Sequence, residues 1–177
     1  MMTKSNLISL GILCCLYSFP ATADKPASAV KENPPSVAVD NFMLGSKAYE
    51  AGQYDRAREL WRPLADNGDI RAQYAIGRMY EKGKGVDRNF ETAIHWYRQA
   101  AKHGHADSEY RIAVGYAYGL GVKRDEAEGL SWLRRAANHG QKRAQKVLAQ
   151  AYEEGRLGLK ADPQQAKYWY DRAKSGS

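Results

Sequence analysis

The chain predicts an all-α fold, an α-solenoid of stacked antiparallel helix pairs. Like residues recur every 36 positions, two amphipathic helical patterns fit inside each period, and a glycine-bearing turn follows each pattern. Ala57, Ala93 and Gly129 keep the step of 36, as do Ala65, Ala101 and Ala137, and Gly68, Gly104 and Gly140. Ile76, Ile112 and Leu148, then Tyr80, Tyr116 and Tyr152, and Gly83, Gly119 and Gly155 repeat the same spacing, and Trp96 matches Trp132. One extra residue enters near Leu157, and Ala166 and Trp169 then follow their counterparts by 37. A period of this length marks supersecondary units that bury their apolar faces only by stacking.

The first element reads as a secretory signal peptide. Lys4 is its only charge, and the stretch from Leu7 to Phe19 is apolar apart from Ser9, Gly11, Tyr17 and Ser18. Ala21-Thr22-Ala23 then supplies small residues where a signal peptidase reads them, so cleavage is expected after Ala23. Removing 23 of 177 residues leaves 154, with 26 Lys and Arg against 20 Asp and Glu, and no cysteine, because Cys14 and Cys15 leave with the signal. Export of such a chain means packing alone stabilises it. The net charge of +6 is a mild excess that favours anionic partners. The expected location is the periplasm, with secretion as the other destination and no transmembrane anchor after cleavage.

Residues 24–40 shift in composition. Pro26, Pro34 and Pro35 stand among Ala, Ser, Val and Lys without helical or strand period, which predicts a flexible linker. The solenoid is expected over 41–177, with a leading helix from Asn41 to Ala51 and three full repeats near 54–86, 87–122 and 123–159, their helix pairs at 54–82, 89–118 and 125–154. Phe90, Ala93, Ile94, Trp96, Tyr97, Ala100 and Ala101 form one wide apolar stripe. Gly104 ends that helix, since it takes the left-handed C-terminal position without a Cβ penalty. Ile112, Ala113 and Tyr116 mark the packed side of the next helix, from Ala106 to Tyr118. Asp162-Pro163 reads as an N-cap and a first helical residue, opening a last helix to about Lys174. Pro63 lies inside the helix that opens the 54–82 pair and is expected to bend it locally or break its hydrogen bonding.

The run Ala93-x-x-Trp96-Tyr97-Arg98-x-Ala100-Ala101-x-x-Gly104, followed by Gly119-x-Gly121-Val122, resembles the Sel-one-like repeat family, a branch of the tetratricopeptide-like α-solenoids. Pro63-Leu64-Ala65-Asp66-Asn67-Gly68 and Ile76-Gly77-Arg78-Met79-Tyr80 are similar to the family's common leading repeat. The resemblance implies an adaptor that assembles protein complexes, in many cases an exported bacterial one. Cysteine-rich relatives brace each repeat with a disulfide and are linked to β-lactam binding or hydrolysis. This chain departs from them, having no Cys in any repeat.

Catalytic chemistry is not expected. His103 and His139 share one repeat position before the turn glycine, and neither they nor His95 and His105 show metal-ligand spacing. Gly83-Lys84-Gly85 and Gly119-Leu120-Gly121 recur as turns rather than phosphate loops, and no cofactor is implied. Arg62, Arg98 and Arg134 form a column at the step of 36, flanked by His95, Lys102 and Arg135. In tetratricopeptide-like stacks the first helix of each pair lines the concave side. The column is therefore expected to form a basic inner stripe that receives an acidic or extended segment of another protein, Arg holding carboxylates in bidentate fashion. The resulting expectation is a non-enzymatic exported scaffold, with no nucleic-acid partner. The competing one is a periplasmic enzyme or ligand-binding protein acting on peptidoglycan or β-lactams.

Overall fold

The computed structural model describes residues 35–175, with side chains from Asn41 onward. The expected signal peptide, its cleavage site and the linker up to residue 34 lie outside the described residues. Eight helices follow in order among the described residues: α1 (Pro35–Glu50), α2 (Tyr54–Asp66), α3 (Ile70–Lys82), α4 (Phe90–Ala101), α5 (Ala106–Tyr118), α6 (Glu126–Asn138), α7 (Lys142–Glu154) and α8 (Pro163–Ser175). None is long and apolar enough to cross a membrane.

Local chemistry sets the boundaries. Asp69, Asn89, His105, Asp125 and Gln141 are N-caps whose side chains accept hydrogen bonds from backbone N–H groups of the first turn. Asp162 does the same for α8 through Gln164 and Gln165. Gly83, Gly119 and Gly155 close α3, α5 and α7 in the left-handed conformation that glycine adopts most easily.

One boundary corrects the sequence expectations. The leading helix starts at Pro35, not Asn41, so the last six residues assigned to the linker are helical. Pro35 stands at the first helical position, where its missing N–H costs nothing. Pro63 lies inside α2, which runs on to Asp66. The hydrogen bond lost is the one to the carbonyl four residues back, at the solvent-exposed Glu59, where water can replace it.

The pairing also differs in phase. Contact is most extensive within α1–α2, α3–α4, α5–α6 and α7–α8, and weaker across α2–α3, α4–α5 and α6–α7. The array is thus four pairs beginning at α1, not three pairs beginning at 54 with flanking helices. The 36-residue step is blind to phase, so any starting point satisfies it equally.

The core is a chain of clusters rather than one centre. One joins α1 to α4 around Trp61, Leu64, Ile76, Met79 and Trp96. A second links α4 and α5 through Ile94, Tyr97 and Ile112, and a third runs from Ala113 through Leu133 and Leu148 to Trp169. Small residues at one repeat position, Ala57, Ala93, Gly129 and Ala166, are all buried and let helices approach closely.

One contact within each pair varies instructively. Tyr97 donates to Glu81 at 2.5 Å, Arg111 of the next pair donates to the same carboxylate at 3.0 Å, and Tyr170 donates to Glu153 at 2.8 Å. Burial and Glu81 together hold the Tyr97 phenol far above its ordinary range. The equivalent positions are Ala117 and Leu133 in the third pair, and Gly45 and Trp61 in the first. At Gly45 a Cβ would fall 2.4 Å from Trp61 Nε1, so glycine there admits the indole, which donates to the Phe42 carbonyl at 3.0 Å. Each pair fills the same space with a matched couple.

Candidate functional site

The first three pairs build a groove of about 330 Å³ among α1, α2, α3 and the start of α5. Phe42, Tyr49, Trp61 and Tyr74 give it an aromatic lining, and its polar edge carries Arg71, Arg78 and His105 together with Ser46 and one acidic residue, Glu50. The aromatics are braced against one another: Phe42 stacks on Trp61 at 5.8 Å and Tyr49 lies 5.6 Å from Trp61. Arg71 is held by Asp69 at 2.9 Å and sits 4.5 Å from the centre of the Phe42 ring.

Arg78 is the group left over. Its guanidinium lies 5.9 Å from the centre of the Tyr74 ring, and its buried Nε has no hydrogen-bond partner. It has no acidic partner among the described residues. A half-buried guanidinium without an acidic partner, beside aromatic faces, can meet a carboxylate through its terminal nitrogens.

His105 closes the groove beside Tyr74, ring centres 4.8 Å apart. Its Nδ1 accepts from the Ser108 backbone N–H at 3.3 Å and from the Ser108 hydroxyl at 2.9 Å. A backbone N–H can only donate, so Nδ1 is unprotonated in the cap. Burial holds this imidazole below its ordinary 6.5, against the opposing pull of Asp107 and Glu109. The folded chain therefore takes up this proton less readily than the unfolded chain, and stability falls as pH drops through about 6.5. The thermal midpoint of the parent is expected to fall more steeply from pH 7.5 to 5.5 than that of His105→Asn, which keeps a capping side chain. Equal slopes in thermal melts would show that the imidazole is not coupled to folding.

The six residues predicted from sequence are all exposed, but they do not act as one stripe. Arg62 is engaged by Asp66 at 2.9 Å and lies 5.2 Å from the centre of the Trp96 ring. Arg98 donates to the Tyr116 hydroxyl at 2.9 Å, Lys102 donates to Gln99 at 2.8 Å, and His95 meets Trp96 edge-on. Arg135 turns back to the buried carboxylate of Glu109 at 3.1 Å, where His139 also binds at 2.6 Å. Arg134 alone among the column's arginines has neither an acidic nor a hydrogen-bonded partner among the described residues, and it shares a cavity with Arg135. The phase correction matters here as well. Arg62, Arg98 and Arg134 stand on α2, α4 and α6, the second helices of their pairs, so the rule that placed them on the inner side now assigns that side to α1, α3, α5 and α7.

The groove residues were missed because the repeat does not carry them. Arg78 has Val114 and Gln150 as its equivalents, so a search for recurring positions passes over it. Departure from the repeat, rather than agreement with it, was the available signal.

Eight helices stacked as four antiparallel pairs define an α-solenoid repeat scaffold. The Sel1 repeat model matches residues 40–69, 70–105, 106–141 and 142–176, in the phase of the four helix pairs, and the chain belongs to the Sel1 repeat family. Among solved structures, a Sel1 repeat protein from Oxalobacter formigenes is 35% identical with a TM-score of 0.66, covering 69% of this chain and 36% of that one. A protective antigen of uropathogenic Escherichia coli displaying an SLR fold is 32% identical with a TM-score of 0.70, covering 78% and 30% respectively. An exopolysaccharide production negative regulator of Rhizobium leguminosarum bv. viciae is 34% identical over 88 residues, 49% of this chain and 32% of the relative. The mouse DAP3-binding cell death enhancer 1 is 36% identical over 59 residues, 33% of this chain and 12% of the relative. The chain thus spans about a third of the length of the first of these curated relatives and about an eighth of the second.

Proposed function

We propose that this chain is a non-enzymatic scaffold, exported to a bacterial envelope by cleavage after Ala23, that holds an extended segment of another protein in the groove along α1 and α3. Repeat solenoids offer extended surfaces that suit such binding. The observation that carries the reading is Arg78, a half-buried guanidinium with no acidic partner among the described residues, in a groove lined by four aromatic rings. Such a surface matches a carboxylate flanked by apolar side chains. The aromatic lining supplies most of the contact area, and the guanidinium fixes the register.

Capture from an envelope fraction with crosslinking and mass spectrometry tests this. Proteins retained by the full chain are expected to be lost with Arg78→Glu and with Tyr74→Ala while helicity stays the same. Arg98→Glu is expected to retain them. A captured set that survives both groove variants would refute the reading.

A further inference from the structure

The turn between the two helices of a pair seats on the pair before it. In the second pair a Cβ added to Gly85 would fall 2.5 Å from Cβ of Tyr54, the first residue of α2. In the third pair one added to Gly121 would fall 2.3 Å from the backbone of Phe90, the first residue of α4. Only glycine lets these turns lie so close.

The fourth pair breaks this arrangement. Its turn contains the extra residue, Leu157, which takes a left-handed φ of 56°. Both ends of the turn close as in the other pairs. Arg156 N–H donates to the Ala151 carbonyl at 2.9 Å, as Leu120 does to Gly115 at 2.9 Å. Asp162 N–H donates to the Tyr152 carbonyl at 2.8 Å, as Asp125 does to Tyr116 at 3.0 Å. The extra residue is therefore absorbed in the middle of the turn. Gly158, which corresponds to Gly121, has nothing within 4 Å of an added Cβ.

The lifted turn leaves a cavity of about 670 Å³ against α6, lined by Glu126, Leu130, Ser131, Arg134, Asn138 and Leu157 among others. Glu126 is engaged by Arg124 at 2.5 Å, whereas Arg134 has no acidic partner among the described residues, so the unbalanced charge in this trough is positive. Ser131, Arg134 and Asn138 follow one another along one face of α6 and span about 10 Å of its axis at 1.5 Å per residue. That is about the length of three residues of extended chain. Leu130 and Leu157 supply an apolar wall beside them.

We propose that this trough is a second binding site, which takes an extended acidic segment of a protein partner with a carboxylate on Arg134. Ser131 and Asn138 hydrogen-bond the segment on either side, and its apolar side chains rest on Leu130 and Leu157. The site is created by the single inserted residue and does not rest on the groove along α1 and α3.

The test uses the full chain and a fluorescein-labelled decapeptide of alternating Glu and Leu, followed by fluorescence anisotropy. Deleting Leu157 restores the spacing Gly155-Arg156-Gly158-Leu159, which matches Gly119-Leu120-Gly121-Val122, and is expected to reseat the turn and fill the trough. Binding is expected to weaken at least tenfold on that deletion, on Arg134→Glu, and when Gln replaces Glu in the peptide. If the deletion lowers helicity by circular dichroism, Arg134→Glu decides. No binding by the parent, or binding unchanged by the deletion and by Arg134→Glu, would overturn the proposal. So would binding lost only with Arg78→Glu, which would place the peptide in the groove, or equal displacement by a ten-residue oligothymidylate, which would show charge attraction without a peptide site.

Discussion

Replacing both Arg135 and His139 by Ala is expected to lower the unfolding free energy by about 3 kcal/mol, whereas Glu109→Gln leaves it unchanged or raises it. Glu109 is fully buried, and its carboxylate is held by Arg135 and His139, whose side chains are 48% and 46% exposed. The same repeat position holds Gln73 and Gln145 in the neighbouring pairs. Each of those amides donates to a helix-end carbonyl, Gln73 to Ala65 at 3.1 Å and Gln145 to Ala137 at 3.0 Å, and each leaves its Oε1 without a partner. An ionised carboxylate has no proton to donate, so the third pair satisfies the position by importing two donors, Arg135 of α6 and His139, which caps that helix. Taking both donors away strands a buried charge. A Gln side chain there can donate to the Ala101 carbonyl, as its equivalents do, and still accept from Arg135. Urea melts of the two variants check this, and a Gln variant as unstable as the double Ala variant would contradict it.

Gly121→Ala is expected to cost about 3 kcal/mol and Gly158→Ala about 1 kcal/mol. The two glycines have nearly the same left-handed backbone, with φ of 71° and 73°, so the conformational penalty for Ala is common to both. What differs is the space. The new methyl at 121 meets the Phe90 backbone at 2.3 Å, and backbone cannot rotate away as a flexible side chain can. At 158 the methyl enters open space. Equal losses in chemical denaturation would mean that the turn of the third pair is not seated on α4 as described.

The fold was legible in the sequence because its determinants recur. Ala93, Trp96, Ile112 and Gly119 each have counterparts one period away, and burial, capping and turn geometry follow from residue type at those positions. The grouping of helices into pairs was not legible, since a period has no origin and only tertiary contact distinguishes α1–α2 from α2–α3. The start of α1 was hidden by Pro34 and Pro35, whose composition resembles a linker although Pro35 suits a first helical turn. The candidate site was legible only in part. Arg134 was found as a member of a column, but its neighbours in that column were read as free cations. Asp66 and the Tyr116 hydroxyl engage Arg62 and Arg98, and Glu109, 26 residues away from Arg135, engages the cation beside Arg134. Partners at such separations come together through packing of different helices, which helical periodicity alone does not encode. Arg78 was invisible for the opposite reason, being a departure from the pattern that drew attention to everything else.

The glycine turns also bear on how the array carries load. Gly85 and Gly121 rest their turns on the backbone of the preceding pair, like shims that fix the angle between consecutive units. At the last joint the shim is withdrawn, because with Leu157 inserted Gly158 no longer rests on backbone. The angle of that joint is therefore set by the shared core from Ala113 to Trp169 alone, without the backbone seat the other two joints have.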